Sequence, residues 1–284
     1  MIQHLSESLK ETVSVVSERK AQGGVKYIGI PTGFRELDAA TGGLRNSDLY
    51  IVAGRTGMGK SAFGLSLMLE GAKRGHTALY VSLEMSTEVL ATRLLSGLSM
   101  IPSMDIEYGR MNDEQYAKLI TSQQELMNLP LWVWDDVVTS DQVLEEAKKL
   151  PNLEAIYIDH ASLLSDAYGS AEWDRVSHIV HNLKHIAVDL NIPVVALAQL
   201  NRNVESREPP VPILSDLRDT GSFEQDASVV IFLYRPAYYH AMSGDRLDVH
   251  VETDAQIRIA KNRHGPTGGT NAKFYPKRMF WEQV

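Results

Sequence analysis

The chain contains no cysteine among its 284 residues, which excludes disulfides, thiolate nucleophiles and cysteine-ligated zinc. It has no apolar run near the roughly 20 residues needed to cross a bilayer. Its first residues, Met1-Ile2-Gln3-His4-Leu5-Ser6-Glu7, lack the basic flank and apolar stretch of a secretory signal. These absences predict a cytosolic protein without membrane contact. An excess of positive charge is missing too. A net charge of −8 argues against a protein that grips nucleic acid with its whole surface. The acidic excess lies within residues 1–200, whereas 201–284 is balanced, so any contact with a polyanion is local and best sought in the C-terminal third. What remains, 44% hydrophobic and 23% charged, is the composition of an ordinary globular protein long enough to bury a core.

Ile2, Leu5, Leu9, Val13 and Val16 recur at the three-and-four spacing that makes one apolar stripe on a helix. Gln22-Gly23-Gly24 then ends the pattern, so residues 1–24 read as an amphipathic linker helix with a glycine linker and 25–284 as one domain. The stripe needs a cover, supplied either by its own domain or by a neighbouring subunit. Beyond it, short apolar runs alternate with helical stretches, the pattern of an α/β domain with a mostly parallel twisted sheet flanked by helices. Strands are expected at Leu49–Ala53, Ala78–Leu83, Leu131–Trp134, Ala155–Ile158, Val194–Ala198 and Val229–Leu233. Helices are expected at Lys60–Arg74, Thr87–Gly97, Asp113–Asn128, Ser140–Leu150 and Ala171–Leu190. Residues from Gln256 to Trp281 suit antiparallel strands closing one sheet edge. Two Pro/Gly-rich stretches, Arg202–Gly221 and His264–Gly269, interrupt the rhythm as loops.

Gly54-Arg55-Thr56-Gly57-Met58-Gly59-Lys60-Ser61 fits G-x-x-x-x-G-K-[ST] and lies between an apolar strand and a helix, as phosphate binding requires. The glycines let backbone N–H groups turn inward around phosphate oxygens, and the helix N-terminus adds partial positive charge. Lys60 would reach the β- and γ-phosphates of ATP or another NTP, and the Ser61 hydroxyl would bind Mg²⁺. Asp159, closing the apolar run Ala155–Ile158, is the candidate acidic partner for the metal. Hydrolysis also needs a group that orients or deprotonates water. Some P-loop enzymes place a glutamate directly after the strand-end aspartate, but His160 stands there, so Glu84 at the end of another strand is the candidate base. Gln199, ending Val194–Ala198, is placed to sense the γ-phosphate.

The combination resembles DnaB-type replicative helicases. The resemblance rests on Gly29–Phe34, Thr41–Leu44, the phosphate loop, Ser82–Met85, Ala198–Arg202, Ser215–Ala227 and Lys261–Gly265, in that order. It covers roughly residues 25–284. It implies a RecA-like ATPase core that assembles into hexameric rings and moves along single-stranded DNA on Mg²⁺-ATP hydrolysis. By matching position, Glu84 resembles the family's catalytic glutamate and Gln199 its phosphate sensor. Arg263, with Lys261 beside it, resembles the arginine finger that reaches the γ-phosphate held by the adjacent subunit. Arg218, Asp219 and Gly221 resemble the loop that contacts successive DNA phosphates, and Ile2–Val16 resembles the linker helix that packs on the neighbour. Full-length members carry an N-terminal collar domain that engages primase. Nothing of that kind precedes the linker helix here, which suggests a truncated or naturally short form, as a phage might encode. Primase docking is therefore not expected, while a helicase loader fits as partner, in the cytoplasm of a bacterium or of a phage's host. A RecA-like ATPase of the recombination or clock type and a non-motor regulator of a helicase ring are the competing readings.

Two further signals are discounted. Asp174, His178, His181 and His185 share one helix face, but roughly 16 Å of rise separates the first from the last, so no single ion binds all four; a solvent or subunit face is expected. Trp132 and Trp134, alternating on an apolar strand, are expected to be buried on one face. Arg235 and the following Tyr238-Tyr239, in an expected loop, are candidates to lie near the nucleotide base.

Overall fold

The computed structural model describes residues 4–21, 23–24, 27–169, 171–217, 221–242 and 253–284. A sheet of nine strands runs in the order β3-β2-β4-β5-β1-β6-β7-β8-β9. Six strands are parallel: β1 (Leu49–Gly54), β2 (Thr77–Ser82), β3 (Leu131–Trp134), β4 (Leu153–Asp159), β5 (Val194–Gln199) and β6 (Val229–Tyr234). The last three, β7 (Thr253–Asn262), β8 (Gly268–Tyr275) and β9 (Phe280–Gln283), add antiparallel at one edge. Every residue of β1, β2 and β6 is buried, as expected for strands covered on both faces.

The two faces bury separate cores. Tyr50 and Val52 point to one face, where α3 (Lys60–Lys73) packs Phe63 edge-on against Trp281 of β9, ring centroids 5.5 Å apart. Leu49, Ile51 and Ala53 point to the other, covered by α7 (Ser140–Ala147) and α8 (Glu172–Leu190). The α8 stripe of Val176, Ile179, Val180, Leu183 and Ile186 is buried there. Helix starts carry their own capping signals: Ser86 caps α4 (Thr87–Ser99), and Asn112 with Gln115 and Thr139 with Gln142 form capping boxes for α6 (Asp113–Met127) and α7.

The structure adds short helices the sequence pattern did not reveal: α2 (Arg35–Thr41), α5 (Ser103–Glu107), α9 (Gly221–Asp226) and α10 (Pro236–Met242). Tyr238 and Tyr239 therefore sit on a helix, not in a loop. The expected burial of both tryptophans fails at Trp132, which is 46% exposed because β3 is the outermost strand and has a neighbour on one side only. The N-terminal helix α1 (Leu5–Ala21) buries none of its residues. Leu5, Leu9, Val13 and Val16 all stand open to solvent, so the domain itself does not cover the stripe.

Candidate active site

Parallel strands deliver their carboxyl ends to one edge of the sheet, and the bends that follow define a cleft there. Register places Gly54 beside Gln199 and Ser82 beside Asp159. The Leu83 amide extends that pairing by donating to the Asp159 carbonyl at 2.7 Å, bringing the Glu84 bend to the same edge. The cleft, about 420 Å³, is lined by Thr56, Gly57, Gly59, Lys60, Ser61, Glu84, Arg93, His160, Gln199, Arg235, Tyr238 and Phe274, among others.

The loop between β1 and α3 is shaped as a cradle. Gly57 and Gly59 adopt φ of 81° and 87°, a region L side chains rarely enter. A Cβ on Gly57 would lie 2.8 Å from the Tyr238 ring, and one on Gly59 2.8 Å from Phe274. The Trp281 indole donates to the Gly59 carbonyl at 2.9 Å, and Arg235 donates to the Gly57 carbonyl at 2.9 Å. The loop is thus fixed from outside by β9, β8 and α10. Met58 is fully buried beneath it. The Arg55 side chain points elsewhere: it pairs with Glu205 at 2.7 Å and donates to the Leu200 carbonyl at 2.8 Å, leaving only its backbone near the cradle.

Charge in the cleft is balanced on a buried base. Burial lowers the Lys60 ammonium from its ordinary range, against the pull of Asp159 and Glu84, and its Nζ rests 3.3 Å from the Arg55 carbonyl. Burial likewise lowers the His160 imidazole, which keeps it neutral near pH 7. Asp159 is 1% exposed and accepts the Tyr80 hydroxyl at 2.9 Å. The Gln199 amide donates to the Thr56 hydroxyl at 2.9 Å, a direct link between the end of β5 and the cradle.

Arg93, on α4, escaped sequence analysis. Burial lowers its guanidinium, with Tyr80, Asp159 and Glu84 opposing, and no hydrogen bond or ion pair joins it to the described residues, so this cation is open to an incoming anion. Phe274 and Trp281, from the C-terminal strands, were equally invisible, since no local pattern ties residues more than two hundred positions away to the phosphate loop. A triphosphate fits this cradle of turned glycines and cations. A hydroxyl with a carboxylate, Ser61 and Asp159, is the all-oxygen donor pair that a hard cation such as Mg²⁺ takes.

Other sequence candidates lie apart. Strand β7 runs antiparallel, pairing Asn262 with Val229 at the foot of β6, and the Arg263 amide donates to the Ser228 carbonyl at 2.9 Å. Arg263 therefore sits at the sheet edge opposite the cleft, about 17 Å from Gly54 along β1 at some 3.3 Å per residue. It cannot serve the cleft of its own chain. Its guanidinium donates to the Gln225 carbonyl, and Lys261 donates to the carbonyls of Glu224 and Ala227, so both cations rest on the C-terminal end of α9. Gly221 opens that helix, whereas Arg218 and Asp219 lie outside the described residues. On α8, His181 and His185 contact each other at 2.9 Å, and His181 lies 3.5 Å from Asp226. His178 instead stacks on Tyr168.

A parallel sheet with a glycine-rich phosphate loop after its central strand, strand-end acids beside it and an antiparallel edge defines a RecA-like P-loop ATPase domain. Comparison with known proteins gives the family. The profile of the DnaB-like helicase C terminal domain matches residues 29–283, and the chain belongs to that family. It is 33% identical to the replicative DNA helicase DnaB of Helicobacter pylori strain J99, over 95% of this chain and 63% of that protein. It is 40% identical to a probable replicative DNA helicase of Trieres chinensis, over 87% of this chain and 55% of the relative. Among solved structures, an ATPase domain superposes over the whole of both chains with a TM-score of 0.89 at 29% identity. A DnaB-like replicative helicase, solved in a study of its interactions with primase, gives 0.85 at 28% identity over 99% of this chain and 71% of its own. The chain thus spans a little over half to under two thirds of the length of these curated relatives. No helix among the described residues is long and apolar enough to cross a membrane.

Proposed function

We propose that this chain is the motor domain of an ATP-dependent replicative DNA helicase. It acts as a homo-oligomer, a hexameric ring, that hydrolyses Mg²⁺-ATP between subunits while moving along single-stranded DNA and unwinding duplex. The observation that carries the reading is the placement of cradle and Arg263 at opposite edges of one sheet. A contact that joins one protomer's cleft to the other edge of its neighbour is head-to-tail, and such contacts close into rings when the rotation allows. In this division, residues 1–24 are the linker and 25–284 the ATPase domain. The bare stripe of α1 supports a second inter-subunit contact.

Within the cleft, the cradle amides of Gly57 and Gly59 with Lys60 hold the phosphates, Ser61 and Asp159 hold the metal, and Gln199 reads the γ-phosphate. Mg²⁺ held there would supply neutralisation of phosphate charge. Glu84 takes the proton from the attacking water. Arg93 from the same chain and Arg263 with Lys261 from the next meet charge developing on the transferred phosphoryl, where a fixed cation is most effective. Arg235 and Tyr238 border the side of the cleft available to the nucleobase. Arg218, Asp219 and Gly221 contact the DNA backbone without reading bases. An acidic exterior is compatible with this, because the loops line a channel. The reading places the protein in the cytoplasm of a bacterium or of a phage's host, with a loader as a further partner.

The test mixes two inactive variants. Protomers carrying Glu84→Gln keep an intact Arg263, and protomers carrying Arg263→Ala keep an intact cleft. Each alone should bind nucleotide without turnover, and DNA-stimulated ATP hydrolysis should reappear on mixing. Normal turnover by Arg263→Ala alone refutes the shared site.

A further inference from the structure

The loop carrying Arg263 is bolted to the foot of β1 by a polar cluster that the chemistry above does not use. Asp48, the residue before β1, is buried. Its Oδ2 accepts His264 Nε2 at 2.5 Å and its Oδ1 accepts the Ser228 hydroxyl at 2.5 Å. Lys184 of α8 stands 3.8 Å from the same carboxylate and donates to the Ser47 carbonyl at 2.7 Å. The Asp48 backbone is committed as well, its carbonyl accepting the Val194 amide at 2.9 Å. On the far side of Arg263, Asn262 donates to the carbonyls of Ala40 and Pro266 at 2.9 and 3.1 Å.

We propose that Asp48 and His264 are positioning residues for Arg263, fixing the backbone of its loop against β1 so that the guanidinium alone has to move when a neighbouring subunit presents a phosphate. The inference rests on the assignment of Arg263 as the cation supplied in trans. Its physical basis is that the neighbours of Arg263 are held on both sides while its own side chain, among the described residues, makes one exchangeable bond, to the Gln225 carbonyl. A fixed backbone with a swinging side chain delivers charge with little entropy left to lose. Were the Asp48 pair a general fold contact, its loss would harm every function of the chain alike.

The experiment uses the mixture of Glu84→Gln and Arg263→Ala protomers, in which only the Glu84→Gln chain supplies a working Arg263. His264→Ala is introduced into one chain or the other. Placed in the Glu84→Gln chain, it should lower the recovered turnover on the order of tenfold with KM for ATP unchanged, the scale a small misplacement of a catalytic group produces. Placed in the Arg263→Ala chain, whose loop is already inactive, it should change nothing. Asp48→Asn, which keeps the side-chain volume, should repeat the asymmetry, and melting curves of each single variant report folding separately. Equal loss in both arms, or loss in neither, overturns the positioning role while leaving the shared site standing. Absence of any recovery in the parent mixture overturns the trans assignment and this inference with it.

Discussion

Gly57→Ala probes the cradle at the point where its geometry is least forgiving. At φ of 81° an alanine costs about 1–2 kcal/mol relative to glycine. Its Cβ would also lie 2.8 Å from Tyr238, so the ring must move. That weakens the edge-to-face contact with Tyr239, centroids 5.9 Å apart at 89°, worth about 0.5–1.5 kcal/mol. Together these come to about 1.5–3.5 kcal/mol. The loop, with Thr56 and Gly57 exposed, yields before the core does. The expected loss therefore falls on nucleotide affinity, about 10- to 300-fold at 1.4 kcal/mol per tenfold, with little change in melting temperature. Titration with a fluorescent ATP analogue in Mg²⁺ measures it. In a Tyr238→Ala background the same glycine substitution should cost about 1 kcal/mol less, because only the backbone strain remains. Unchanged affinity in Gly57→Ala, or no coupling to Tyr238, refutes the account of how the loop is held.

Two other outcomes follow from the same structure. Asp216 is 3% exposed and takes a two-pronged bond from Arg207 at 2.9 Å on each oxygen; burial pushes its carboxyl up, but the Arg207 guanidinium and the Ile213 amide outweigh this and hold it below the usual range. A depressed carboxyl stabilises the fold above its unfolded value near 4 and loses that contribution as pH falls. The stability advantage of wild type over Asp216→Asn, about 1–2 kcal/mol at neutral pH and read from melting curves, should therefore shrink from pH 6 towards pH 3; a constant advantage counts against the pairing. Replacing Leu9 and Val13 with aspartate should leave the melting temperature unchanged, since α1 buries nothing in its own chain, yet weaken assembly seen by light scattering with ATP and single-stranded DNA.

Much of the frame was legible in sequence because the signals were local. The six parallel strands are full apolar runs bounded by turn residues, and all six appear within two residues of their expected limits. The phosphate loop is contiguous, and Glu84, Asp159 and Gln199 are strand-end polar residues that a parallel sheet must bring to one edge. What sequence could not show depends on distance along the chain or on small size. Helices α2 and α5 are too short for a period to register. Trp132 is apolar and alternates correctly, but edge position, which decides its exposure, is a property of strand order. Phe274, Trp281 and Arg93 reach the cleft through tertiary packing alone. The role proposed for Arg263 rests on resemblance, because an arginine in a hairpin loop otherwise looks like solvated charge.

Strand β1 joins the cradle to the loop of Arg263. Its carboxyl end opens into the cradle at Gly54, and its amino end is tied through Asp48 to the loop of Arg263. It is central and fully buried, hydrogen-bonded to β5 on one side and β6 on the other, so it has little freedom to bend or slip. A protomer built this way presents a phosphate cradle and a cation at a fixed separation and in fixed orientation. In an assembly that completed each cleft with the neighbour's loop, as proposed, a change in how one cradle is filled would move the protomer as a body, because the strand between the cradle and the Arg263 loop cannot absorb it.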